Sequence, residues 1–310
     1  MWNEYRGINS NHARKAQNGT SQFIRFHCYG SLLTELQTVD QAIAQYSKLS
    51  ETIFITLSQS KTAKFDHTTF EIVLRKVVAE SPLNLQPDAL LKEPNTCKTF
   101  VVAIRTRGTG AAAVRMRTYD TDTADAFPAR IWEAAHATSA APTFFHPITI
   151  NGVKYDHGGT GWNNSTAEAL AEANRIWPSR SIGCLLSLGT GLEEAIQLSE
   201  GDDELFSRSL LQKLAPQASF QLEVAKYCVA SLTSCEKIHR EVSEKYPDRI
   251  TPNRNYLRFN VPQGMSKIGL EEWKKVGDII ALTEDYMDHG EMLERKKTIA
   301  RVLLNPQLAS

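Results

Sequence analysis

Ala134 to Gly191 carries three ordered runs: A-A-H-A-T-S-A-A-P-T-F-F-H-P at 134–147, Y-D-H-G-G-T-G-W-N-N-S-T at 155–166, and I-G-C-L-L-S-L-G-T-G at 182–191. The first suits a helix of small residues stopped by Pro142. The second ends a strand in a glycine turn, where the backbone bends in a way a side chain would obstruct. The third is an apolar strand leading into another glycine turn. Helices and strands that alternate in this way predict an α/β fold around a mostly parallel sheet.

The same pattern extends outward. Thr99 to Ile104 is nearly all apolar, as in a strand of a parallel sheet covered on both faces. Val114-Arg115-Met116-Arg117-Thr118-Tyr119 alternates like a strand with one buried face. That leaves Arg105, Arg107, Arg115 and Arg117 as solvated flanks. Thr38, with Gln41 three residues later, opens a helix carrying Ile43, Tyr46, Leu49, Ile53 and Phe54. Further helices are predicted at 67–78 and 131–140. Ser165 and Glu168 read as a capping box for a helix to Trp177, with Ala169, Leu170, Ala173, Ile176 and Trp177 as its apolar stripe. Asn151-Gly152 predicts a tight hairpin turn within 148–155. Ser81 to Lys92 reads as a loop. Beyond Gly191 come helices near 204–231, 269–281 and 288–304, and a strand at 256–261.

Bulk properties narrow the function. The chain has 310 residues, 42% hydrophobic and 23% charged, with 35 Lys plus Arg against 35 Asp plus Glu. A net charge of zero gives no basis for a nucleic-acid partner. The five cysteines, Cys28, Cys97, Cys184, Cys228 and Cys235, fit neither a disulfide framework nor a zinc site, which points to a reducing, cytoplasmic setting. No secretory h-region and no membrane span are expected. No cofactor and no metal ligand set is expected either.

Taken in order, these motifs resemble the second half of a patatin-like phospholipase domain of fungal type. The resemblance implies a three-layer α/β sandwich and a serine acyl hydrolase with a Ser-Asp dyad. It implies a lipid ester or membrane surface, met peripherally, as partner. It divides the chain into a divergent segment at 1–37, a patatin-like domain at 38–285 that lacks its first strand and oxyanion loop, and a C-terminal helix and tail at 286–310.

The family writes D-G-G-L-x-x-N-N-P at the second run. Anchoring on Asn163 and Asn164 puts Gly158, Gly159 and Gly161 on family positions. His157 then stands at the aspartate position, with Asp156 one residue earlier. Neighbouring strand residues face opposite ways. Either His157 serves as general base, or a bulge returns Asp156 to the site, or the segment is only a well-made turn. No intact G-x-S-x-G occurs. Gly19-Thr20-Ser21-Gln22-Phe23 is the nearest remnant, making Ser21 the candidate nucleophile with Phe23 replacing the closing glycine. The family's G-G-G-x-R-G oxyanion loop has only a faint echo at Tyr5-Arg6-Gly7-Ile8. His136 and His146 read as structural residues rather than triad members. The expectation is a lipid acyl hydrolase domain with little or no activity. The alternatives are a non-catalytic lipid- or protein-binding domain, or a truncated or mis-spliced fragment of an active enzyme.

Overall fold

The computed structural model describes residues 24–26, 39–60, 63–92, 98–106, 113–180, 182, 184–191, 235–244, 256–265, 268–269 and 271–304. Its organising strand is β2 (Lys98–Arg105), with Phe100 to Ile104 all buried. β1 (Ile24–Phe26) pairs with it in parallel, Phe26 opposite Phe100. β3 (Ala113–Arg117) pairs antiparallel along Phe100 to Ile104. β4 (Ile148–Ile150) and β5 (Val153–His157) form a hairpin, and β5 joins β2 antiparallel with Ala103 opposite His157. Because β3 fills one edge of β2, β1 and β5 share the other edge end to end. A second, two-stranded sheet pairs β6 (Leu185–Leu188) in parallel with β7 (Tyr256–Phe259).

The fold is α/β, but the five-stranded sheet is not mostly parallel: three of its four pairings run antiparallel. The apolar run of β2 reflects cover on both faces, and cover carries no information about strand direction. Directly opposed residues share a face. Val101, Ala103, Met116 and Tyr155 lie in the main core with Leu74 and Val78 of α2 (His67–Ala79) and Ala134 and Ala137 of α3 (Ile131–Ser139). On the other face, Arg115 and Arg117 meet α5 (Thr166–Ile176).

That second face overturns two expectations. Arg115 and Arg117 are not solvated flanks. Arg117 grips Glu172 in a fork, Nε to Oε1 at 2.9 Å and Nη2 to Oε2 at 2.8 Å. Glu172 is 0% exposed. Arg115 lies 2.5 Å from Glu168. Glu168 therefore serves an ion pair, and Ser165 makes no side-chain cap bond. Within the expected stripe, only Leu170 is buried. Burial works against the Arg117 charge, but the Glu172 carboxylate more than offsets it and holds the guanidinium firmly protonated.

Local signals elsewhere fold as read. Asn151 (φ 49°) and Gly152 (φ 78°) both take the left-handed conformation a two-residue hairpin turn requires. Asp66 caps α2 through the Thr69 N–H at 2.8 Å. α1 spans Val39–Ile55; Thr38, its expected cap, lies outside the described residues, as does the expected helix at 204–231. The expected helix at 269–281 is a 3₁₀ turn at Trp273–Lys275 followed by α7 (Val276–Asp288), and α8 is Gly290–Leu304. The apolar composition of β6 suits a buried strand, yet Leu186 and Leu188 are 38% and 66% exposed. β7 is covered on both faces. Tyr256 packs with Leu170 and with Val242 of α6 (residues 235–244), while Leu257 and Phe259 pack with Met287 and Ile299.

Replacing Glu172 by Ala leaves a buried guanidinium without its partner and should cost about 3–5 kcal/mol of stability in urea unfolding. Arg117→Met with Glu172→Leu should cost markedly less than Glu172→Ala alone, because no charge is then stranded.

Candidate functional site

β5 delivers the second motif to the end of β2. The register is regular: Tyr155 opposite Arg105, Asp156 opposite Ile104, His157 opposite Ala103. No bulge returns Asp156 to the face of His157. His157 faces the α3 side with Tyr155, and Asp156 faces the α5 side.

The turn that follows is fixed by backbone contact. A Cβ on Gly158 would sit 2.4 Å from the Val102 carbonyl oxygen, so only glycine fits. The same oxygen accepts the Thr138 hydroxyl at 2.8 Å, which ties the A-T-S-A-A-P helix to the place where β5 leaves the sheet. One helical turn, α4 (Gly159–Trp162), comes next. The Gly159 N–H donates to His157 Nδ1. Burial pushes the His157 imidazole down to about 4. Burial also pushes Asp156 up, partly countered by the His157 N–H that Asp156 Oδ1 accepts at 2.8 Å and by Lys154.

Asn164 closes the turn. Its Oδ1 accepts the Thr166 hydroxyl at 2.6 Å, and its Nδ2 donates to the Cys235 carbonyl at 2.9 Å. With its one proton spent on Asn164, Thr166 Oγ1 accepts the Ser187 hydroxyl at 3.1 Å, and Arg258 Nη1 donates to Ser187 Oγ at 2.9 Å. Asn163 bonds the Cys235 thiol, which burial raises. The S-L-G-T-G turn is closed by the chain itself. Asn260 Oδ1 accepts the Gly191 N–H at 2.8 Å and occupies the space a Gly189 side chain would need.

The structure thus brings Asp156, His157, Gly158, Gly159, Asn163 and Asn164 into one turn. Ser21 and Tyr5 to Ile8 lie outside the described residues. Sequence reasoning missed Thr138, Thr166, Ser187 and Arg258. Thr138, Thr166 and Ser187 stand inside the three opening runs, but Val102 and Arg258, which they meet, lie outside them.

The histidines sit elsewhere. His136 is fully buried, bonds the His146 carbonyl through Nε2 at 2.9 Å and faces Glu71 at 3.3 Å through Nδ1. The His136 side chain is the first cause of a lowered Glu71 carboxyl. Both line a cleft of about 580 Å³ with His67, Trp132 and His146, and none of the turn residues lines it. Among the described residues, no three His, Cys, Asp or Glu are placed to hold a metal, and no helix is long and apolar enough to cross a membrane.

Gly158→Ala should lower stability by about 1–3 kcal/mol, read as a shifted urea midpoint, because the clash is with backbone that cannot rotate away. His157 also predicts a pH slope. Its folded value of about 4 lies below the ordinary 6.5, so between these values the unfolded chain binds more protons. Stability should fall as pH drops from 6.5 toward 4. Asp156, raised in the fold, opposes this at the acid end of the window. His157→Gln should flatten the decline between pH values of about 7 and 5, measured by urea midpoints.

The family model of the patatin-like phospholipases matches residues 24–171. Calcium-independent phospholipase A2-gamma of Rattus norvegicus is 29% identical over 176 residues, covering 56% of this chain and 20% of that protein. The Homo sapiens protein of the same name is 28% identical over 176 residues, with the same shares. Phospholipase A I of Arabidopsis thaliana is 25% identical over 143 residues, covering 46% of this chain and 10% of that protein. The chain spans a fifth or less of the length of these relatives. It carries a patatin-like phospholipase domain over residues 24–171.

Proposed function

We propose that this chain is a lipid acyl hydrolase domain of patatin-like type that meets a lipid ester at the turn after β5, peripherally to a membrane, and hydrolyses it little or not at all. The observation that carries this reading is the turn itself. Its glycine fits against Val102 and its asparagine is anchored, while the position of the dyad carboxylate holds an imidazole pushed down to about 4.

A serine hydroxyl needs a base that gains stability on taking its proton. An imidazole with so low a proton affinity is a weak one, and loss of a base typically costs about 10²–10⁴ in rate. Asp156 is no substitute, because the regular register turns it to the opposite face. The altered base thus separates lipid recognition from turnover. The functional unit on this reading runs over residues 38–285, since Ser187, Cys235 and Arg258 complete the turn.

The test is hydrolysis of a short-chain nitrophenyl ester by the full chain beside Ser21→Ala, with sedimentation on phospholipid vesicles. Turnover within about tenfold of the uncatalysed rate for both proteins, together with vesicle binding, is the expected result. Robust turnover that Ser21→Ala abolishes would show a working enzyme, and absence of vesicle binding would remove the lipid reading.

A further inference from the structure

We infer that His157 is locked as the neutral Nε2–H tautomer, so that it acts at the turn as a hydrogen-bond donor and cannot act as a base. The assignment of a role at this site rests on the functional reading above; the tautomer itself rests on geometry alone.

The geometry is a backbone donor aimed at one ring nitrogen. The Gly159 N–H points at His157 Nδ1. An amide N–H can only donate, so Nδ1 must present a lone pair. A neutral imidazole has one such nitrogen, and its single proton then sits on Nε2. Protonating the ring would put a second hydrogen on Nδ1, facing the Gly159 N–H. Two donors would then oppose each other across a short contact. The penalty falls on the charged ring specifically and adds to that of burial.

The described neighbours on β5 and α4 offer no carboxylate on the side of the ring. Burial is the cause of the lowered His157 value. Asp156, the adjacent carboxyl, lies on the other face and spends Oδ1 on the His157 backbone N–H. Lys154 sits on that same far face, and α4 contributes only Gly159, Thr160, Gly161 and Trp162, none of them titratable. Thr138 of α3 is committed to the Val102 carbonyl. With Nδ1 held by the Gly159 N–H and the one ring proton on Nε2, neither ring nitrogen can take a proton from a hydroxyl.

Two-bond ¹H–¹⁵N spectra of the ¹⁵N-labelled full chain decide this, recorded between pH of about 5.5 and 8.5, where ordinary histidines titrate. His157 is assigned by the signal lost in His157→Gln. His157→Asn serves the same purpose, since its Oδ1 can take the Gly159 N–H and preserve the turn. The expected pattern is a protonated Nε2 and an unprotonated Nδ1 that do not move across the range. Conversion to imidazolium within it, or a proton on Nδ1, would overturn the inference. Vesicle binding is read on the same samples. Its absence would remove the lipid reading while leaving the tautomer standing, and a titrating His157 in a vesicle-binding protein would do the reverse.

Discussion

β2 must satisfy neighbours on every side, and the rest of the domain is arranged around that requirement. β3 takes one of its edges, β1 and β5 divide the other, and its side chains are covered on both faces. Buried backbone groups have to be paired. Where β5 departs, the Val102 carbonyl would be left facing the turn. Thr138 supplies a hydroxyl donor there, and Gly158 brings no side chain that would crowd the oxygen. The helix motif and the turn motif, 20 residues apart, thus answer to a single carbonyl oxygen.

The second constraint is electrostatic. Burying Arg117 and Glu172 carries a desolvation cost, recovered only because the fork geometry satisfies both groups. What the pair contributes is placement. α5 is held to β3 through Glu168 and Glu172, and at its N-terminus through Asn164 and Thr166. Residues 158–164 are strung between two fixed points, the end of β5 and the start of α5. The turn has little freedom to rearrange, whatever it binds.

Much of this was legible in the sequence where one short segment decides the outcome. Asn151-Gly152 specifies its hairpin because few other pairs accept positive φ at both positions. The helix expected at 67–78 follows from periodicity, and the Asp66 cap that starts it was not read from the sequence. The family motifs located the turn. What failed were questions about which neighbour a residue meets. Glu168 fits a capping box or an ion pair equally well, and the strand opposite α5 decided between them. Arg117 on an alternating strand looks solvated until a helix covers that face. Strand direction left no trace in the apolar run of β2, since either direction buries the same side chains. Ser187 and Arg258 are 71 residues apart, so no local window could pair them.

The glycines of the turn are weaker testimony to catalysis than their family wording suggests. Gly158 is required by a steric fact, the nearness of the Val102 carbonyl, and that fact holds whether or not any ester is cleaved. The chemistry depends instead on what the Gly159 N–H meets. Opposite a carboxylate, a backbone N–H favours the charged form. Opposite Nδ1 of His157, the same N–H favours the neutral ring and opposes the charge that catalysis would create. The same backbone donor that would favour the charged form of a carboxylate favours the uncharged form of this imidazole. The fit of the turn against Val102 and the protonation of residue 157 are thus set by different contacts.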